Sequence, residues 1–126
     1  MKIFFLSIVI MGVFDVLWLW LYMKPRFYQA VRSIQGTEPQ IRAIGLLVYV
    51  LLGLAMVWFA VSPRILTSVL NGMVLGLVVY GTYDLTNYAV FTNYPVRVVR
   101  DDMIWGAVMM GVSAGLVSWL VPWEYG

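Results

Sequence analysis

Four long apolar stretches separated by short polar segments set the pattern of this chain. Residues 3–23 hold a single charge, Asp15, and residues 43–61, 65–83 and 103–121 hold none. Each stretch reaches the roughly 20 residues that a helix needs to cross a hydrocarbon core at 1.5 Å per residue. Such windows are too long and too uniformly apolar for barrel strands, and in lipid the backbone must bond within its own segment, so they predict helices. The expected fold is all-α, a four-transmembrane-helix bundle with antiparallel neighbours. Its spans fall near 3–23, 42–61, 65–88 and 97–121 in a single membrane domain, 1–126.

The polar punctuation agrees with these boundaries. Pro25 follows the first span, and Thr37-Glu38-Pro39-Gln40 has the form of a capping box with proline in the first turn of the second helix. Ser62-Pro63 ends that helix and can cap the third, while Pro95 suits the first turn of the fourth. Trp20, Tyr22, Trp58, Trp119 and Trp123 lie near span ends, where aromatic belts meet the membrane interface. In the first loop Phe27, Val31 and Ile34 recur at helical spacing, with Arg26 and Arg32 elsewhere. That segment reads equally as a short interfacial helix or as a basic solvated loop. The apolar run after Lys2 continues through Trp18 and Trp20 to Met23 without a small-residue cleavage pattern, so it is expected to be a span and not a signal peptide.

Composition narrows the class. The chain is 63% hydrophobic and 11% charged, whereas soluble domains carry about 25% charged residues. Net charge is +2 with the basic residues scattered through loops, which leaves no footprint for nucleic acid. Without cysteine or histidine, thiolate chemistry, Ser-His catalysis and the usual zinc and haem ligands are excluded. Neither Lys2 nor Lys24 lies inside a span, where a retinal Schiff base would need it. No cofactor and no metal are expected. Lys24, Arg26, Arg32, Arg42, Arg97 and Arg100 fall in loops one and three, against Lys2 and Arg64 on the other side. This bias predicts a membrane protein with loops one and three in the cytoplasm and both termini outside.

Acidic residues supply the candidate chemistry. Asp15 lies about 12 Å from the Met23 end of its helix, Asp84 about 10 Å from Phe91, and Asp101 and Asp102 about 9–10 Å from Pro95. Measured from one side, three helices thus present carboxylates at a common depth, where each is destabilising unless paired or solvated. Gly72, Gly76, Tyr80, Asp84, Asn87 and Tyr88 form one stripe on helix three. Helix one offers Gly12, Asp15, Trp18 and Tyr22, helix four offers Asp102, Trp105, Gly106 and Met109, and Gly45, Tyr49 and Gly53 of helix two pack behind them. The predicted site is therefore Asp15, Asp84, Asn87, Asp102, Trp105, Tyr80, Tyr83 and Trp18, with Arg97 and Arg100 as head-group or charge partners. Plainer roles stand beside this one. Arg97 and Asp101 can neutralise each other at i, i+4, and an arginine paired with Asp15 or Asp84 can simply lock helices together. Gly72-x-x-x-Gly76 and Gly111-x-x-x-Gly115 are close-packing surfaces within the bundle or between protomers.

The strings Asp15-Val16-Leu17-Trp18-Leu19, Tyr83-Asp84-Leu85-Thr86-Asn87 and Asp102-Met103-Ile104-Trp105-Gly106 follow one another over nearly the whole chain. Together they resemble a family of small bacterial membrane proteins, domain of unknown function 2177. The resemblance implies a four-helix membrane protein in which Asp15, Asp84, Asn87, Asp102 and Trp105 are pattern positions, and it implies no activity.

Three functions fit these residues. A buried Asp/Tyr/Asn/Arg cluster can bind or transport a proton, a cation or a small cationic solute. Four spans are few for a solute pathway, so that function predicts a homo-oligomer through the glycine-rich faces. A lipid-binding or lipid-modifying protein would use Arg97 and Arg100 on an anionic head group and an aspartate as general base, with membrane lipids as partners. An accessory subunit would use the cluster for packing alone.

Overall fold

The computed structural model describes residues 2–18, 20–21, 25–26, 29, 31–32 and 46–123. These residues hold four helices and no strand: α1 (Lys2–Trp18), α2 (Leu46–Ala55), α3 (Ile65–Val90) and α4 (Val96–Leu120). A wider π-helical turn, Met56–Ala60, extends α2 and is closed by Val61 N–H donating to the Met56 carbonyl at 2.9 Å.

α3 and α4 are long and apolar enough to cross a membrane and match the expected third and fourth spans within two residues. α1 and the Leu46–Ala60 helix are shorter than the expected first two spans, although Trp20 and Leu21 are again helical. The proposed capping box lies outside the described residues. So does most of the expected interfacial helix, of which Pro25, Arg26, Gln29, Val31 and Arg32 are helical.

Packing follows the small residues. α3 and α4 make the most extensive contact, α1 packs on α4 and α2, and the π turn closes against α3. In the α3–α4 seam a Cβ on Gly72 would meet the Met110 carbonyl carbon at 2.8 Å, one on Gly76 the Gly106 carbonyl carbon at 2.6 Å, and one on Gly115 Val69 at 2.6 Å. Both glycine motifs thus serve close approach within a single chain. Met11, Met56, Met109 and Met110 fill the centre with Leu52, Ala60 and Ala114.

The distribution of polarity is inverted relative to a soluble bundle. Ser7, Ser68, Asp84, Ser113 and Ser118 are buried, while Val9, Val16, Leu51, Leu66, Leu70, Val74 and Val78 line the outside. Apolar groups exposed this continuously suit lipid better than water. Trp20, Trp58 and Trp119 also face outward, as an aromatic belt requires.

Local bonds define the ends. Ser62 does not cap α3 as its position suggests, because the N-cap is Arg64 and makes no side-chain cap bond. Instead Ser68, one turn inside α3, accepts Ser62 N–H at 2.8 Å, and Ser118 of α4 donates to the Ser62 carbonyl at 2.6 Å. The α2–α3 turn is thereby fastened to the end of α4. Asn71 donates to the Ala60 carbonyl at 3.4 Å, meeting an acceptor where the π turn ends.

Candidate functional site

Asp15 is where the four helices meet. Near the end of α1, its Oδ2 accepts the Tyr49 hydroxyl of α2 at 2.7 Å and, more weakly, the Tyr80 hydroxyl of α3 at 3.5 Å. Its Oδ1 accepts the Trp105 indole N–H of α4 at 3.0 Å. Helix periodicity explains the convergence from α4, since Trp105 and Asp102 are i, i+3 neighbours on the face turned to α1 and α3. Trp105 is held by stacking on Trp18, with ring centroids 4.6 Å apart and planes 3° from parallel, and by an edge contact with Phe14. Tyr80 crosses α4 at Gly106, where any Cβ would lie 2.6 Å from the Tyr80 Cβ.

A second group lies nearer the α3–α4 loop. Asp84 is 0% exposed, and neither of its carboxyl oxygens has a hydrogen-bond partner. Asp102 of α4 and the Tyr94 hydroxyl lie close enough to act on it as weak hydrogen-bonding neighbours, without well-formed geometry. Asp102 acts in turn with Asp15, so the carboxylates of α1, α3 and α4 form a linked series. Among the described residues no basic side chain forms an ion pair with any of these three acids. Nor does any group of three or more acids there converge as a metal cage.

The predicted residues divide accordingly. Asp15, Tyr80, Trp105 and Trp18 form the first group, Asp84 and Asp102 the second, and Asn87 is half-buried beside Tyr94. Tyr83 is not brought to the acids: it is 54% exposed, because adjacent residues lie about 100° apart around a helix. Arg97 is exposed, and Arg100 pairs with Asp101 at 3.1 Å, so neither acts as charge partner to a buried aspartate. The pairing expected between Arg97 and Asp101 is replaced by this nearer one. Two residues were missed. Tyr49 was assigned only to packing, although its place on the expected inner face was a signal. Tyr94 sits in a turn sequence, where tyrosine ordinarily marks an interface, and nothing in the sequence points it inward.

Beside the first group, an apolar groove of about 680 Å³ runs between α1 and α2, lined by Ile8, Gly12, Val16, Leu46, Tyr49 and Val50 among others. A smaller cavity of about 160 Å³ adjoins Trp18, Asp101 and Trp105.

A family model described as a predicted membrane protein, DUF2177, matches residues 1–119. No curated protein and no solved structure matches.

Proposed function

The chain belongs to the DUF2177 family of predicted membrane proteins, and for this member we propose a multi-pass protein that binds or transports a proton, a cation or a small cationic solute at Asp84 and Asp102. In this reading α1 and the Leu46–Ala60 helix are also spans, completing a four-helix bundle in the bacterial inner membrane with its termini outside. The observation that carries it is that, among the described residues, no basic side chain pairs with a fully buried Asp84 that faces Asp102. Removing one carboxylate from water is strongly unfavourable, and two facing each other repel. A positive charge from outside the protein, a proton or a cation, resolves both problems. Asp15 differs, since three neutral donors satisfy it and it can hold helices together while lending negative potential to Asp102.

Proton release tests this function. Purified protein in weak buffer with a pH indicator is titrated with sodium, potassium and tetraphenylphosphonium. The parent should exchange protons for at least one of these cations, and D84N and D102N should not, while remaining folded. Unchanged release from both variants contradicts the reading.

The α1–α2 groove favours a second function, the binding of an amphiphile. Its aliphatic lining suits an acyl chain, and its volume falls within the roughly 300–1,000 Å³ of ligand sites. A Cβ on Gly12 would meet nothing within 4 Å, so G12L adds bulk to the groove that Gly12 lines, with its Tm as the check that the fold is kept. Loss of a co-purifying lipid from G12L supports this function, and identical lipid content in parent and variant rules it out.

A further inference from the structure

The loop joining α3 to α4 sends one side chain back into the fold. Tyr94 is 6% exposed, its ring packed with Val98, Val99, Trp18 and Met103 and tilted against Phe91 at 6.4 Å. Pro95 follows it and precedes α4, which holds residue 94 away from helical backbone and lets the ring turn under the loop. The Tyr94 hydroxyl is buried without a hydrogen-bond partner, as are both carboxyl oxygens of Asp84. These groups interact, and Asn87, Tyr83 and Asp102 are the other polar side chains that act on the phenol. Buried polar atoms are nearly always partnered, and a catalytic or proton-carrying role is one of the physical reasons for an exception.

Position adds to this. Asp84 and Asp102 each lie roughly 9 Å along their helices from the loop, and Tyr94, buried in that loop, stands on the loop side of both. Burial pushes the Tyr94 hydroxyl up to about 12, so it remains a neutral phenol, both donor and acceptor, at physiological pH.

We propose that Tyr94 is the gate of the Asp84–Asp102 pair, its hydroxyl relaying a proton between the pair and water at the α3–α4 loop while its ring excludes bulk water. The proposal rests on the reading that the pair takes up a proton. On uptake, a hydronium ion beside half-buried Asn87 gives a proton to the phenol oxygen as the phenol O–H proton passes to an Asp84 carboxylate oxygen. Hydronium becomes water, the carboxylate becomes a carboxylic acid, and the phenol is regenerated neutral. Rotation of its O–H resets the relay.

The test is a pH jump on the purified protein, followed by infrared absorption of the carboxyl groups. Y94F keeps the ring and removes the relay, so it should reach the parent end point more slowly by about tenfold or more. Y94A opens the loop side to water and should relax at least as fast as the parent. Y94H restores a proton-carrying ring and should recover much of the rate, which also serves if Y94F does not fold. A purely structural tyrosine would alter thermal stability in these variants without this order of rates. Parental kinetics in Y94F, or Y94H and Y94A relaxing much more slowly than the parent, overturn the gate. If D84N and D102N keep the full parent signal, the pair itself is not the proton site, and the underlying reading fails instead.

Discussion

Trp105 donates its indole N–H to Asp15 at 3.0 Å, joining residues 90 positions apart and tying α4 to α1. W105F keeps an aromatic ring against Trp18 and removes the donor. Loss of this hydrogen bond, which leaves the half-buried Asp15 carboxyl group one donor short, should destabilise the fold by about 1–3 kcal/mol, read as a lower Tm in detergent. Y49F removes another donor to the same carboxylate and should act in the same direction. Parental stability in both variants would mean that Asp15 does not fasten the helices.

Gly76 and Gly12 make a matched pair for the seam. A Cβ on Gly76 would collide with the Gly106 backbone, and backbone cannot move aside as a side chain can. G76A should therefore destabilise by about 1–3 kcal/mol through overpacking. G12A adds its methyl to open space on a helix, so it should be neutral or stabilising by up to about 1 kcal/mol. Equal Tm changes in the two variants would refute the account of the α3–α4 contact.

The sequence made some of this arrangement legible. Depth along a helix depends only on the rise per residue, and the common level of Asp15, Asp84 and Asp102 could be counted from helix ends. Faces were readable too, which is why Trp105, Tyr80 and Gly106 fell on the inner side. Which partner each acid meets depends on how neighbouring helices rotate and approach, and sequence spacing does not contain that. Hence the arginines looked like countercharges, whereas neutral hydroxyl and indole donors satisfy Asp15. Tyr83 looked interior through its neighbour Asp84, yet a step of one residue carries it to the outer face. Tyr94 was hidden for another reason: the direction of a loop side chain follows from backbone turns that no periodicity records.

Orientation makes a separate prediction. In the proposed four-span topology basic residues concentrate in loops one and three, and the charge bias then predicts that these loops face the cytoplasm. A periplasm-active reporter fused after Gly126 should work and a cytoplasm-active one should be silent. The reverse result would invert the topology and put the Tyr94 side of the protein outside the cell.

Charge compensation at Asp84 is the central claim, and infrared difference spectroscopy tests it most directly. Spectra of the parent and D84N, recorded through a pH titration with and without added cation, report proton and cation binding at carboxyl groups. The account predicts a carboxyl signal in the parent, responding to acid or cation, that D84N loses while its amide bands remain those of a folded helical protein. A D84N spectrum that responds to both just as the parent does would contradict it.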